Sequence, residues 1–381
     1  MPLKESRTIK QPIYLDYNAS TPHAPEVIEA MRPFLETYFG NPSSASVYGK
    51  VNKEALEQAR GQVAGLLGCH AEEIIFTSGG TESNNHAIKG VAFAHRAKGN
   101  HIITSQIEHP AVLEVCGHLE KCGFSITTLP VDATGSVRVQ QVKAALTPRT
   151  ILVSIMHANN EVGTVQPLEQ IAELTRSRGI LLHTDAAQSV GKIPTDVESL
   201  GVDLLSLAGH KLYAPKGVGA LYVRKGVLLD NLLHGAGHEG GRRPGTENIL
   251  EIVGLGAACA LAQRGFEKHV QHLQAMRELL HQGLKRIVTC TLNGHPTQRL
   301  PNTLNVSFEG VNAQQLLWRV RDRVAASTGA ACHENSVSIS HVLAAMNTST
   351  ERALGAVRFS VGRMTTEKQV EAAIDHLAQY V

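Results

Sequence analysis

Residues 180–211 read ILLHTDAAQSVGKIPTDVESLGVDLLSLAGHK and carry the strongest evidence for the fold. The apolar runs Ile180–Thr184 and Asp203–Leu207 have the length and composition of buried β-strands. A titratable residue that can take part in catalysis follows each run. Asp185 follows the first, and Lys211, in Gly209-His-Lys211, follows the second. Ligands of parallel sheets lie beyond the carboxyl ends of the strands, so both residues are expected at that edge.

The same pattern extends from about residue 73 to 225. The other predicted strands are Glu73–Thr77, His101–Ser105, Ser125–Pro130, Thr150–Ile155 and Val218–Val223. Amphipathic stretches between several of them predict helices at Thr81–Ala97, His109–Lys121 and Pro167–Ser177. Strands that alternate with helices indicate an α/β fold, in which a mostly parallel seven-stranded sheet lies between helices.

The chain changes character after about residue 250. Long helical patterns cover Glu247–Gln263 and Lys268–Arg286. Short strands are then predicted at Thr303–Ser307, Val324–Ser327 and Val357–Val361, before a final helix from Thr366. We therefore expect a large domain over residues 16–255, and a smaller α+β domain over residues 1–15 and 256–381.

The composition limits the function classes. A chain of 381 residues exceeds the usual size of one domain, and 43% hydrophobic residues suffice for a core. With a net charge of +2 and no Lys/Arg block, neither a nucleic-acid groove nor a membrane-surface helix is expected. The polar segment Met1–Lys10 lacks the apolar centre of a signal peptide, and no apolar run approaches the roughly 18 residues of a membrane span.

The cysteines are scattered and show no CxxC spacing: Cys69, Cys116, Cys122, Cys259, Cys290 and Cys332. This pattern predicts neither a disulfide framework nor a zinc site, so no metal is expected. The thiols are expected to be reduced, as in a cytoplasmic protein.

A candidate anion site lies at Thr77-Ser-Gly-Gly-Thr81, between a predicted strand and a predicted helix. The two glycines allow the backbone to approach an anion, and the free amides of a helix N-terminus favour a phosphate. The segment is not a Walker loop, because the spacing and the lysine are missing. A tight turn without a ligand is the simpler alternative.

Asp185 and Lys211 are the two residues that indicate a pyridoxal cofactor. A carboxylate at the sheet edge can pair with a protonated ring nitrogen, and a lysine there can form a Schiff base with the aldehyde. Each residue has a plain alternative. Asp185 could cap the following helix, and Lys211 could be an ordinary surface lysine.

Two further residues stand out near the C-terminal end. Cys332 lies in the small and polar stretch Ser327–Asn335, which is typical of a mobile loop thiol, and the adjacent His333 could lower its pKa. Arg358 lies inside an apolar strand and needs an anionic partner. A substrate carboxylate would serve, and a structural ion pair is the alternative.

Together these segments resemble the cysteine desulfurase family, within the class V aminotransferases of pyridoxal-phosphate fold type I. The resemblance runs from about Tyr14 to the C-terminal helix. It rests on Tyr14–Pro22, Phe39–Ser44, Phe76–Asn85, Glu108–Val112, Asn159–Gly163, His183–Gln188, Gly209–Lys211, Arg243–Asn248, Leu300–Asn305 and Gly329–Cys332.

The resemblance implies a set of cofactor contacts. Lys211 would carry pyridoxal 5'-phosphate, Asp185 would pair with its ring nitrogen, and Gln188 would contact its ring oxygen. His109 would stack on the ring and move protons. The remaining implied contacts are Gly80, Thr81, His210 and Asn159, with Thr246 reaching the phosphate of the neighbouring subunit in a homodimer.

The resemblance also implies the reaction. Asn18, Asn159 and Arg358 would hold the substrate L-cysteine. The thiolate of Cys332 would attack the substrate sulfur, release L-alanine and keep the sulfur as a persulfide. Iron–sulfur scaffolds or thiolation enzymes would then accept the sulfur.

Some positions depart from the family pattern. Ala208 replaces a serine that touches the phosphate in many relatives, and His234–Arg242 differs from the usual Gly-Gly-Gly-Gln-Glu-Arg. Around Cys332 the text Ala-Ala-Cys-His resembles the selenocysteine lyase branch, so that activity is the alternative. A plain aminotransferase, and a scaffold that has lost its cofactor, are the rivals from other classes. The aminotransferase would have no use for Cys332.

Overall fold

The computed structural model describes residues 11–333 and 336–381, with the backbone alone over 330–333 and 336–338. The segment Met1–Lys10 therefore lies outside the described residues. The strands are Ile13–Tyr14 (β1), Ile74–Thr77 (β2), His101–Ser105 (β3), Ser125–Leu129 (β4), Thr150–Ser154 (β5), Leu181–Asp185 (β6), Leu204–Ala208 (β7), Gly219–Val223 (β8), Cys290–Asn293 (β9), Thr303–Phe308 (β10), Val324–Ala325 (β11), Ser327–Thr328 (β12), Ala330–His333 (β13), Ser336–Ile339 (β14) and Ala356–Ser360 (β15).

The α-helices in the described residues begin and end as follows: Pro25–Glu36 (α1), Val47–Leu67 (α2), Gly80–Ala94 (α3), Pro110–Lys121 (α4), Val139–Ala145 (α5), Leu168–Arg176 (α6), Val197–Leu200 (α7), Ile249–Arg264 (α8), Phe266–Ile287 (α9), Ala313–Val320 (α10), His341–Ala345 (α11), Thr350–Leu354 (α12) and Glu367–Leu377 (α13).

The larger sheet contains seven of the described strands, in the order β2-β8-β7-β6-β5-β3-β4. All neighbours are parallel except β8, which is antiparallel to both β2 and β7. The central strands are buried along their whole length because helices cover both faces, which explains their unbroken apolar runs. This confirms the predicted fold class and places the seven strands within a residue or two of their predicted bounds.

The two faces of this sheet carry different helices. One apolar cluster contains Ile88 and Val91 of α3 and Val115 of α4. The cluster on the other face contains residues of α2, α6 and α8, such as Leu56 and Leu255. Since α3 and α4 follow β2 and β3 directly, their first turns lie at the edge of the sheet where strands β3, β6 and β7 end.

A smaller antiparallel sheet has the order β12-β15-β10-β9. It packs on α9 and α13 around a second apolar cluster that includes Leu280, Phe359 and Val370, together with Leu15 from near the start of the chain. The strand predicted over Val324–Ser327 is wrong as a single element. Its first half, β11, pairs with β1, whereas β12 joins β15.

The predicted loop around Cys332 has a different backbone. Residues of β13 pair with β14 in an antiparallel hairpin, in which Cys332 lies opposite Val337. Its side chain lies outside the described residues, as does that of His333. The small residues around Cys332, which predicted a loop, therefore form a strand of a hairpin.

Within the described part of the chain, no single helix is both long and apolar enough to cross a membrane. The pair formed by α8 and α9 meets the length and composition only across a bend of 81°.

Candidate active site

A cavity of about 240 Å³ lies at the carboxyl ends of β6 and β7. Most residues singled out from the sequence line it: Asn18, Gly80, Thr81, His109, Asp185, Gln188, His210, Lys211 and Arg358. They come from six separate regions of the chain and meet because the parallel strands end at one edge. Ala208, the departure from the family pattern, also lines the cavity.

Lys211 lies in a short 3₁₀ turn directly after β7. Its Nζ donates to the backbone oxygens of Asn18 at 2.5 Å and Ala19 at 2.8 Å. Burial and, to a smaller extent, the charge of Arg358 lower the pKa of Lys211 to about 8, while Asp16 and Asp185 oppose the shift. An amine with this pKa is partly neutral near neutral pH, so it can act as a nucleophile and as a base. The surface-lysine alternative is wrong.

Asp185 ends β6 and is buried. Its Oδ1 accepts from the Ala187 backbone N–H at 2.9 Å, and its Oδ2 accepts from Asn84 Nδ2 at 2.7 Å. The N-cap alternative is wrong, because the next helix is α7, which Asp196 caps. Two donors stabilise the carboxylate at the end of the cavity.

His109 is the N-cap of α4, and its Nδ1 accepts from the Ala111 backbone N–H at 3.1 Å. This bond leaves the ring proton on Nε2. Burial lowers the pKa of His109, while Asp185 counteracts the shift and Lys211 and His341 add to it. A neutral imidazole with a single N–H therefore borders the cavity.

The predicted anion site is the first turn of α3. Gly79 precedes the helix with φ of 147°, a conformation that favours glycine, and Gly80 and Thr81 line the cavity. A Cβ at Gly80 would approach Ala208 Cβ at 3.3 Å, so a side chain there would crowd the end of β7. His210 faces the same cavity, and burial lowers its pKa to about 4.

Arg358 forms an ion pair with Asp16 and also lines the cavity. Its Nη2 donates to Asp16 Oδ1 at 2.8 Å and to Ser327 Oγ at 2.9 Å, and Nη1 donates to the Asn160 oxygen at 3.2 Å. Its Nε is buried and has no partner among the described residues. The ion pair with Asp16 orients the guanidinium, which still lines the cavity.

One predicted contact lies elsewhere, and Thr246 was predicted to reach the phosphate of a neighbouring subunit rather than this cavity. Asn159 does not line the cavity; its amide bonds to Ile107 and to the backbone of Glu161 and Val162. The next residue, Asn160, takes the place at the cavity wall. Thr246 lines a different cavity, of about 190 Å³.

The hairpin that carries Cys332 is anchored beside the cavity. Ser340, directly after β14, donates from Oγ to Glu161 Oε2 at 2.5 Å, and His341 Nε2 bonds to the Glu108 oxygen at 2.9 Å. Glu161 and Glu108 are the direct neighbours of Asn160 and His109. Cys332 is three residues beyond Gly329 at the base, which corresponds to roughly 10 Å of extended strand.

The residues fit a pyridoxal phosphate group. The buried Oδ1 of Asn84 borders the cavity without a partner among the described residues, as expected where a ligand completes the polar surface. The helix N-terminus suits the phosphate, Asp185 suits a protonated ring nitrogen, and the amine of Lys211 suits an aldehyde. The cavity volume suits one small ring rather than a dinucleotide.

Three contributing residues were not predicted: Asn84, Asp16 and Asn160. Asn84 lies in the quoted segment Phe76–Asn85, three residues after Thr81 on α3, so helical spacing could have placed it on the same face of the helix, toward the cavity. Asp16 carries no local signal, since its pairing with Arg358 joins residues at opposite ends of the chain.

Comparison with known proteins places this site in context. The aminotransferase class V family matches residues 13–373. A protein of Dictyoglomus turgidum named cysteine desulfurase IscS is 48% identical, over 98% of this chain and 95% of its own length. A solved structure named NifS-like protein matches with a TM-score of 0.91 and 37% identity, over 97% of this chain and 99% of that one. A second, titled SspA in complex with cysteine, matches with a TM-score of 0.82 and 40% identity, over 93% and 99%.

Proposed function

Since this chain belongs to the class V aminotransferase family and is nearly half identical to a cysteine desulfurase along almost its whole length, we propose that it converts L-cysteine to L-alanine and keeps the sulfur on Cys332 as a persulfide. One observation carries the proposal: a single cavity unites Lys211, Asp185, His109 and Arg358, and the hairpin bearing Cys332 is anchored at its rim.

We infer that the cavity binds pyridoxal 5'-phosphate, the cofactor of this family. Lys211 would hold it covalently, Asp185 would bind the ring nitrogen, and the first turn of α3 with His210 would bind the phosphate. His109 would lie against the ring and Gln188 would donate to the ring oxygen. When bound, the cofactor supplies an electron sink for the substrate carbon that loses its proton.

The chain's own groups would do the rest. The carboxylate of the substrate would bind Arg358, whose geometry is fixed by Asp16. The substrate amine would first displace Lys211 from its covalent bond, and Lys211, then a free neutral amine, would take the proton from the substrate α-carbon. The thiolate of Cys332 would attack the substrate sulfur; the electron pair of the Cβ–S bond stays on carbon, which is protonated and becomes the methyl group of alanine. His109, with its N–H on Nε2, would move protons within the cavity.

A selenocysteine lyase is the second candidate, because Ala-Ala-Cys-His surrounds Cys332. The selenol ionises more readily than a thiol, so such an enzyme would need less help from a nucleophilic cysteine. A plain aminotransferase is disfavoured, since it has no use for a cysteine hairpin anchored at the cavity.

The test measures alanine released from L-cysteine and from L-selenocysteine under the same reducing conditions. We expect the unmodified protein to release alanine from cysteine, Cys332→Ala to lose that activity, and Cys290→Ala, a matched change at another free cysteine, to keep it. Turnover of selenocysteine alone, or a fully active Cys332→Ala variant, would contradict the proposal. A purified protein that binds no cofactor would instead favour the scaffold.

We also propose a homodimer. Thr246 is exposed in a cavity that Ser78 and Arg243 also line, where a neighbouring subunit could supply a phosphate. The neighbouring rings of Phe39 and Tyr48, with Phe39 81% exposed, offer an apolar contact surface. The persulfide would pass to an iron–sulfur scaffold or a thiolation enzyme, and we expect this to occur in the cytoplasm.

A further inference from the structure

Lys192 is a buried lysine that the proposed reaction does not use. It is 5% exposed, and no ion pair with a carboxylate is found for it in the described part of the chain. Burial lowers its pKa to about 7, and Lys211 adds to the shift. Burying an unpaired amine is costly, so its polar contacts deserve a functional explanation.

Among the described residues, the side-chain amine of Lys192 donates to Gln188 alone. Its Nζ donates to the Gln188 backbone oxygen at 3.0 Å and to Gln188 Oε1 at 3.2 Å. The chain turns back between the two residues at Gly191, which has φ of 73°. A Cβ at Gly191 would also crowd Leu212 Cδ1 at 2.4 Å, so the positive φ and the packing both favour glycine here.

The other end of the Gln188 amide is fixed as well. Its Nε2 donates to the Asn18 oxygen at 3.0 Å, and the same oxygen accepts from Lys211 Nζ. A flipped amide would place oxygen against oxygen at Asn18 and N–H against N–H at Lys192. The amide therefore has one orientation, in which its second N–H is free to serve the cavity that Gln188 lines.

We propose that Lys192 is a positioning residue that fixes the Gln188 amide, so that Gln188 presents an N–H to the ring oxygen of the bound cofactor. The proposal rests on the proposed function for the identity of the cofactor. It holds for either protonation state of Lys192, since a neutral amine also donates. It gives a physical reason for a lysine in the protein interior.

The test is a double-mutant cycle on cofactor binding, with Lys192→Met and Gln188→Leu alone and combined. The holoenzyme spectrum and the dissociation constant for pyridoxal phosphate are measured without substrate. We expect Lys192→Met to weaken binding by about 2- to 10-fold, the loss of one hydrogen bond, and to shift the absorption band of the bound cofactor. In the Gln188→Leu background the same change should add almost nothing.

Lys121→Met is the matched control, because Lys121 is exposed in the last turn of α4, at the opposite end of that helix from His109. It should leave binding and spectrum unchanged. A folded Lys192→Met protein with the original affinity and spectrum would overturn the proposal, and so would an equal effect in both backgrounds. If the Met variant does not fold, Lys192→Gln, whose shorter side chain cannot reach Gln188, is read in the same way. Cysteine turnover is scored separately, so failure of this proposal is distinct from failure of the desulfurase assignment.

Discussion

The lowered pKa of Lys211 predicts how the apoenzyme captures its cofactor as pH changes. Only the neutral amine attacks an aldehyde, so the capture rate follows the neutral fraction. With a pKa of about 8, that fraction is about 0.09 at pH 7 and about 0.9 at pH 9. The rate should therefore rise about ten-fold over this range and then level off. A lysine at its ordinary value of 10.5 would instead give about a 100-fold rise without a plateau.

A substitution tests in which direction the midpoint of this pH dependence moves. Burial is the main cause of the shift and Arg358 the next, so Arg358→Gln should move the midpoint to higher pH. The same change frees Asp16 from its ion pair, and Asp16 already raises the pKa of Lys211, so both effects have the same sign.

The assay mixes apoenzyme with pyridoxal phosphate and follows the absorption change between pH 6.5 and 9.5. The rate of a small amine with the free cofactor at the same pH values, divided by the neutral fraction of that amine, corrects for titration of the cofactor itself. A rate that keeps rising beyond pH 9, or a midpoint that moves down in Arg358→Gln, would refute the reasoning.

Two further substitutions test single contacts. Asn84→Leu removes the amide that donates to Asp185 Oδ2. A hydrogen bond to a charged group contributes about 1.5–3 kcal/mol, so the affinity for the cofactor should fall about ten-fold or more. An unchanged dissociation constant for the cofactor would count against a role for this contact. Glu239→Gln breaks a buried ion pair with Arg60 at 2.8 Å and weakens the hydrogen bond from the Phe76 backbone N–H. The free energy of unfolding, measured in urea, should therefore fall by about 3 kcal/mol. A decrease below about 1 kcal/mol would contradict this expectation.

The large sheet could be predicted because its strands are short, apolar and separated by helices. Periodicity placed β6 and β7 within one residue, and with them Asp185 and Lys211 at the sheet edge. Local patterns sufficed here, since strands such as β5, β7 and β8 are buried along their whole length and have a correspondingly apolar composition.

Long-range contacts could not be predicted in this way. The pairing of β1 with β11, and of Asp16 with Arg358, joins segments more than 300 residues apart, and no local spacing encodes them. The hairpin around Cys332 was missed because small and polar residues predict a loop when strand pairing is not known. The cavity wall contains Asn160 instead of the predicted Asn159. Which of the two side chains faces the cavity depends on the turn after Ala158, and the sequence motif alone does not define that turn.

The most direct test of the central claim is a single turnover on L-cysteine without reductant, followed by peptide mass spectrometry. We predict one alanine per active site and the mass of one added sulfur atom on the peptide that contains Cys332, with none on the peptides of Cys69 or Cys290. Alanine released with no added sulfur on Cys332, or with the sulfur on another cysteine, would contradict the account.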